Sequence, residues 1–489
     1  MMQVLPTLLS VEKSGRLPVY LQVANQLMTL IRNGTLQPGY RLLSTRQLAL
    51  MLKVHRRTVV QAYDELLAQG WLESHTGNGT FVAKNLPEIQ PSEPKVNGQR
   101  VAANLKSAGF QFDVPEYLNR PVLKAGTRLH LDDGFPDPRL APLEDLSRAY
   151  RSQLLNGNPY VRLGYGDTKG SLWLRQELSA YLNETRGLKT TSENILIVRG
   201  VIMGIHLTTA GLIKPGDYVA VDSPGWFGAN MNFVHAGAKV VEVPVDEYGM
   251  DVDALEKICM KQPIRLLYVT SHHHYPTTVA LRADRRINLM KLAEKYGFIV
   301  FEDDYDYDFH YLSKPLLPLA GADPTGMVLY CGSFTKTISP ALRVGYLVGA
   351  EDVISYLARF RRIVDRQGDQ MLENALAELF KTGVLQRHLR KSVRVYKQRR
   401  DTFCELMKTH LNDYVNFQVP DGGMAVWTRF DPAIDLKALA AKALQKDLYF
   451  SDGSASNLPP ALAGGVRLGF ASSNQSELEE SVEIMTALI

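Results

Sequence analysis

Cysteine is almost missing from this chain: Cys259, Cys331 and Cys404 are the only three in 489 residues. Few, odd in number and far apart, they argue against a disulfide framework and fit a reducing compartment. None stands in a metal-ligand spacing, so each reads as a small buried hydrophobe. Long apolar runs are missing too, and no membrane span is expected. The apolar start, Met1 to Leu9, lacks a basic leader and is broken by Pro6, so a signal peptide is not expected and a cytoplasmic location is. Neither sign of charge dominates, the formal net charge being +4. With 45% hydrophobic and 22% charged residues, the balance is that of a globular protein, not a disordered or fibrous one. At about 150 residues per domain, the length predicts three folding units.

The small net charge is unevenly placed. Residues 1 to 86 hold nine Lys or Arg against four Asp or Glu, while the remainder holds 46 basic and 47 acidic residues. A basic module on a neutral body is what binding a phosphate backbone requires.

Within that module the pattern predicts three helices and a hairpin. From Pro18 to Arg32, Leu21, Ala24, Leu27, Met28 and Ile31 recur at helical spacing, and Gly34 marks the stop. Ser44 or Thr45 can cap a short helix carrying Leu48, Ala49 and Leu52. A break at Lys53-Val54-His55 leads to a second helix, Arg56 to Gln69, with Val59, Ala62, Tyr63, Leu66 and Leu67 inward. Two short strand patterns follow, joined by a turn containing Gly77-Asn78-Gly79, a strong hairpin signal. From Lys84 to about Arg100, Pro87, Pro91 and Pro94 among polar residues read as a linker. Its end is indistinct up to about Gly126, so the expected division is 1–83, a linker over 84–126, and 127–489.

Beyond the linker, helical stretches such as Val201–Leu212 and Arg282–Tyr296 alternate with β-rich runs. These runs are Asn194–Arg199, Tyr218–Asp222, Lys239–Pro244, Arg265–Thr270, Phe298–Asp303, Met327–Tyr330 and Val344–Val348. Such alternation predicts an α/β domain with a largely parallel sheet. The last hundred or so residues, from about 375, predict a smaller α+β lobe.

Two helices joined by a tight break, then a Gly-tipped hairpin, is the layout of a winged helix-turn-helix. The second helix opens with Arg56, Arg57 and Thr58, so its first turn offers two cations and a hydroxyl to a major groove. Arg46 can hold a phosphate, and Gly77 and Gly79 let the wing backbone approach a duplex. Residues 18 to 82 resemble the GntR family of bacterial regulators. The matching runs are Pro18–Gln22, Leu36–Gly39, Arg41–Ala49, Arg56–Tyr63 and Gly77–Val82. The resemblance implies operator double-stranded DNA as a partner and adds Ser44 and Gln61 to the contact residues. Leu43 stands where the family usually has proline, and His55 where it usually has a serine cap.

In the second region, Gly332 to Gly345 places Lys336 among hydroxyls directly after a β-run, in what reads as a loop. Ser333, Thr335 and Arg343 can turn toward a phosphate. Upstream, Val300–Tyr305 ends another strand with carboxylates and a phenol. A lysine able to form a Schiff base, a carboxylate for a pyridinium nitrogen and a phosphate cup are the three demands of pyridoxal 5'-phosphate. Lys336, Asp303 and the Ser333–Thr335–Arg343 set supply them, with Tyr305 for the ring's phenolic oxygen.

Residues from about 127 to 489 resemble fold-type I aminotransferases, and the whole chain resembles MocR/GabR-type regulators. The motif Ser-x-(Ser/Thr)-Lys with Arg seven residues on is matched by Ser333, Thr335, Lys336 and Arg343, and Glu-Asp-Asp-Tyr-Asp by Glu302–Asp306. Tyr165-Gly166-Asp167 and Gly170 match the early glycine-rich segment. The resemblance implies that Trp226 stacks on the cofactor ring, that His273 lies near it, and that Arg467 pairs with a substrate carboxylate. Val201 and Ile202 stand where the family has Ser and Gln beside the phosphate, and Thr278 where it has Gly. Three adjacent histidines, His272 to His274, diverge along the chain and are not expected to hold a metal. A homodimer is implied, each DNA reader sitting over its partner's aminotransferase-like domain.

The reading with most support is a DNA-binding regulator that senses a small amine or amino-acid effector by external aldimine formation at Lys336. A working aminotransferase with an attached DNA-binding domain is the alternative, and a scaffold that has lost its cofactor is the third.

Overall fold

Apolar spacing and caps decide where the first helices form. In the computed structural model, helix α1 (Val19–Arg32) buries Val23, Ala24, Leu27 and Ile31, so Val23 takes the inward place expected of Leu21. Helix α2 (Thr45–Leu52) is started by Ser44 through a capping box with Gln47. Helix α3 (Arg56–Ala68) is capped by His55, whose Nδ1 accepts from the Arg57 amide at 3.2 Å. The imidazole thus serves where a serine is usual, a cap of this type contributing about 1 kcal/mol. Strands β1 (Leu72–His75) and β2 (Gly79–Val82) pair antiparallel, from Leu72 against Val82 to His75 against Gly79. Trp71, Leu72 and Val82 close the core over Leu48, Val59, Ala62 and Leu66. The Tyr63 hydroxyl, buried beneath, donates to the Leu43 carbonyl at 2.8 Å.

The structure describes residues 8–12, 17–75, 77–86, 108–118, 127–311, 316–453, 458 and 462–489. It divides into two compact units, Met1–Gln111 and Phe112–Ile489. The three prolines expected to form a linker lie outside the described residues. Among the described residues no helix is long and apolar enough to cross a membrane. All three cysteines are buried and free.

In the second unit the chain forms β3 (Leu129–Leu131), β4 (Ile195–Val198), β5 (Tyr218–Ser223), β6 (Lys239–Asp246) and β7 (Gly249–Met250). It continues through β8 (Ile264–Val269), β9 (Ile299–Asp304), β10 (Val328–Ser333) and β11 (Gly345–Val348). An eight-stranded sheet runs in the order β4-β11-β10-β9-β8-β5-β6-β7. Its centre is parallel, and β11 runs antiparallel to both neighbours. Every expected β-run in this region is a strand. Strand β10 extends three residues past its expected end, because pairing with β11 holds the small residues Cys331, Gly332 and Ser333 extended.

Alternate residues of each central strand enter different cores. Ile195, Ala220 and Leu267 join one, while Leu196, Val219 and Leu266 join the other. Both faces are therefore covered, which is why these strands read as continuous apolar runs. The smaller lobe carries β12 (Val415–Phe417), β13 (Ala425–Phe430), β14 (Leu448–Phe450) and β15 (Gly465–Gly469). Strands β12, β13 and β15 make one sheet, and β14 pairs parallel with β3. The early segment 129–131 thus belongs to the C-terminal lobe, a pairing across more than three hundred residues that no local pattern announces.

Thr278 has a φ of 63°, in the left-handed region that a β-branched residue avoids. Its amide donates to the His274 carbonyl at 2.7 Å, so the turn is held closed. Relief of this strain outweighs the added chain entropy of glycine, and Thr278→Gly is expected to stabilise the protein by about 1 kcal/mol. Comparative thermal melts check this; an equal or lower melting temperature contradicts it.

Candidate functional site

The first unit presents cations at the starts of two helices, Arg46 on α2 and Arg56 and Arg57 on α3. Arg46, Arg56, Arg57 and Gln61 are exposed and Thr58 is half-buried. The Arg56 Nε donates to Thr45 Oγ1 at 3.4 Å, linking the starts of α2 and α3. Ser44 is exposed, with its hydroxyl engaged in the capping box. Gly77 and Gly79 both have positive φ at the hairpin tip. A Cβ on Gly79 would stand 3.3 Å from Arg41 Nε. Arg41 is therefore a further cation beside the wing, and only the folded hairpin reveals it.

In the second unit, the parallel register of the central strands brings three chain segments to one edge. Cys331 of β10 lies opposite Asp303 of β9, and Phe301 opposite Tyr268 of β8. Just past these strand ends lies a cavity of about 240 Å³. Lys336, Asp303, Tyr305, Trp226, Ser333, Thr335, Arg343, Val201, Ile202 and Arg467 all line it. Lys336 is not in a loop as expected. Phe334–Thr337 forms one helical turn, which Ser333 caps by accepting from the Thr335 amide at 3.1 Å.

The Lys336 ammonium donates to the Gly134 carbonyl at 2.7 Å and lies 4.3 Å from the centre of the Phe135 ring. Burial pulls its pKa below the ordinary lysine value. Asp303 Oδ2 accepts from the Tyr268 hydroxyl at 2.6 Å. Its Oδ1 is buried with no hydrogen-bond partner. Desolvation pushes this carboxyl up to about 7. An unpaired buried polar group costs about 1–3 kcal/mol. The Tyr305 hydroxyl donates to the His273 carbonyl at 2.7 Å.

At the other end, Ser333 Oγ donates to Thr335 Oγ1 at 2.8 Å, and Arg343 Nη2 donates to the Arg199 carbonyl at 2.9 Å. Gly200, with φ of 76°, leads into the helix Val201–Leu212, and a Cβ on it would stand 2.7 Å from Arg343 Nη2. Glycine is required there. The first helical turn, with Val201 and Ile202, directs its free amides to the same end, the usual setting for an anion. Trp226 precedes the helix Phe227–His235 and forms a wall.

The three adjacent histidines diverge. His272 hydrogen-bonds the Leu316 carbonyl, His273 shares a 2.7 Å hydrogen bond with Asp306, and His274 pairs with Thr277 at 2.7 Å. The ring of His273 faces Gly422 and Asp306 rather than the cavity, which it reaches only through its carbonyl accepting from Tyr305. Sequence reasoning missed Asp133, Phe135, Tyr268, Thr270 and Tyr275, which complete the lining. The turn-forming run Asp132-Asp133-Gly134-Phe135-Pro136 was a signal, but its place beside Lys336 depends on β3 joining the distant lobe.

Two family descriptions match the chain: "Bacterial regulatory proteins, gntR family" over residues 19–82, and "Aminotransferase class I and II" over residues 137–485. Together they define a winged-helix unit followed by a fold-type I aminotransferase fold. The chain belongs to the class I and II aminotransferase family and, within it, to the MocR/GabR-type regulators. It is 29% identical over 484 residues to the probable rhizopine catabolism regulatory protein MocR of Rhizobium meliloti, covering 97% of this chain and 94% of that one. It is 28% identical over 428 residues to the HTH-type transcriptional regulator TauR of Rhodobacter capsulatus, covering 86% of each. Among solved structures, the α-aminoadipate aminotransferase LysN of Thermus thermophilus superposes with a TM-score of 0.68 at 25% identity, over 74% of this chain and 91% of that one. The kynurenine aminotransferase of Pyrococcus horikoshii, at 24% identity, has the same fold, with a TM-score of 0.69 over 77% of this chain and 96% of that one.

Raised carboxyls make the fold sensitive to alkali. Asp303 at about 7, with Glu373 also at about 7 and Asp222 at about 8, stays protonated in the fold where the unfolded chain has lost its protons. Stability of the cofactor-free protein therefore falls as pH rises through about 7. Asp303→Asn is expected to flatten part of that fall, measured by melting temperature between about pH 4 and about pH 8, the span between the unfolded and folded pKa values. An undiminished fall in the variant contradicts the assignment.

Proposed function

We propose that this regulator senses a small amine or amino acid at Lys336 and conveys its binding to operator DNA. The observation that carries the reading is the orphaned Asp303 Oδ1, buried in the same cavity as the Lys336 ammonium. The donor set fits pyridoxal phosphate. Lys336 would hold it covalently and Asp303 would pair with the ring nitrogen. Tyr305 would face its phenolic oxygen, Trp226 its ring, and Ser333, Thr335, Arg343 and the amides at Val201 and Ile202 its phosphate. Once bound, the group supplies an electrophilic carbon at which an amine can replace the lysine.

Arg467 supports a carboxylate-bearing effector, because its Nε and Nη1 are buried without hydrogen-bond acceptors. The side chains of Leu155, Tyr160, Val161 and Leu163 leave an exposed apolar stretch, which supports burial against a second copy in a homodimer. For the switch to work, the amine-bound unit must favour one of two conformations with unequal DNA affinity. The burial-lowered pKa of Lys336 also favours a second reading, slow transamination, in which this amine would take the proton from the α-carbon of the amine substrate. Multiple turnovers of keto acid would establish that activity.

The purified protein with pyridoxal phosphate is expected to show the visible band of a lysine-bound cofactor, and Lys336→Ala is expected to lack it. A band in both, or in neither, contradicts the assignment. For the DNA interface, Arg46→Ala is expected to weaken specific and non-specific duplexes alike and to reduce the slope of log K against log salt by about 0.9. An unchanged slope would remove Arg46 from the phosphate contacts.

A further inference from the structure

The guanidinium of Arg467 already has a carboxylate beside it. Asp133 Oδ1 stands 3.2 Å from Arg467 Nε, close enough for an ion pair. The geometry makes no hydrogen bond, however, and Arg467 Nε and Nη1 are left without acceptors. The two side chains differ in access: that of Arg467 is 4% exposed and that of Asp133 33%.

The turn carrying Asp133 is fixed on both sides. Asp132 Oδ1 accepts from the Phe135 amide at 2.8 Å, and Ser472 Oγ donates to Asp132 Oδ2 at 2.8 Å. Gly134 packs on Met424 and accepts from Lys336 through its carbonyl. Asp133 therefore projects into the cavity from a rigid backbone, facing Arg467, Lys336 and the Tyr275 hydroxyl. The other acidic residue in the lining, Asp303, accepts from Tyr268 through Oδ2 and leaves Oδ1 unpaired.

An incoming α-carboxylate aimed at Arg467 meets this resident one. Two carboxylates beside one guanidinium repel each other in a medium poorer in water than bulk solvent. A neutral tail attached to the same amine meets no such repulsion. Because the Asp133–Arg467 contact lacks a hydrogen bond, a ligand carboxylate with fork geometry can outcompete it, at a loss of affinity.

We propose that Asp133 is a specificity-determining residue of the effector pocket, a built-in carboxylate that an amino acid must displace from Arg467. The inference rests on the reading of Lys336 as the amine-sensing site. It implies that the pocket discriminates against α-carboxylates relative to the charge of Arg467 alone, so only ligands that seat the carboxylate well overcome the internal competitor.

The test is a spectral titration of the full-length, pyridoxal-phosphate-loaded protein with alanine, with ethylamine, which lacks the carboxylate, and with 1,2-diaminopropane, which replaces it by a cationic arm. Asp133→Asn, with Asp133→Ser as a second variant, is expected to raise affinity for alanine relative to ethylamine by about tenfold or more. In an Arg467→Gln background the same substitutions are expected to leave that ratio unchanged. An unchanged ratio with Arg467 present overturns the inference. So does tight binding of 1,2-diaminopropane by wild type that Asp133→Asn abolishes, since Asp133 would then be a receptor for a second cation. The visible band of loaded wild type separates the two levels. Without it the reading of Lys336 fails and takes this inference with it; with it, an unchanged ratio removes only the role of Asp133.

Discussion

The chemistry of the second unit depends on the register between three parallel strands. Because β8, β9 and β10 run side by side and end together, Tyr268, Asp303 and the Lys336 turn converge on one cavity although they are far apart in the chain. Carboxyl ends of parallel strands are where open α/β sheets place their ligands. A shift of one residue in β9 would turn Asp303 to the opposite face and bring Glu302 or Asp304 in its place. Those neighbours do not line the cavity, although Asp304 Oδ1 is likewise buried without a hydrogen-bond partner. Glu302 accepts from the amides of Leu319 and Ala320, and Asp304 from the Tyr330 hydroxyl. In a run of three adjacent acids, the structure leaves Asp303 to present an unpaired oxygen to the cavity.

The end opposite Asp303 is shaped by backbone as much as by side chains. Gly200 and Arg343 both lie in the left-handed region, and the glycine leaves the space that the guanidinium occupies. On the proposed reading, this accounts for how apolar Val201 and Ile202 can stand where polar residues are usual. The amides of a helix start and an adjacent arginine serve a phosphate without them.

Most of the fold was legible in the sequence because its signals are local. Hydrophobic spacing marked α1 and α3, the Gly77-Asn78-Gly79 turn marked the hairpin, and continuous apolar runs marked the central strands. The Lys336 and Asp303 motifs were legible for the same reason, each being a short run at a strand end. What stayed hidden depends on distant contacts. β3 finds its partner near the C-terminus, and with it Asp133 and Phe135 reach Lys336. Small residues at the end of β10 looked like a loop until β11 paired with them. The ring of His273 turned away because Asp306 offers a buried partner on the far side. His55 proved a working cap, which its residue type alone argued against.

On the proposed reading, occupancy of the Lys336 cavity changes the grip of the winged helix on DNA. The most direct measurement is the affinity of the pyridoxal-phosphate-loaded protein for its operator duplex at fixed salt, with and without a saturating amine. Parallel titrations of Lys336→Ala provide the comparison. A shift of at least about fivefold is expected in wild type and none in the variant. An amine that changes the wild-type visible spectrum yet leaves DNA affinity unmoved would contradict it.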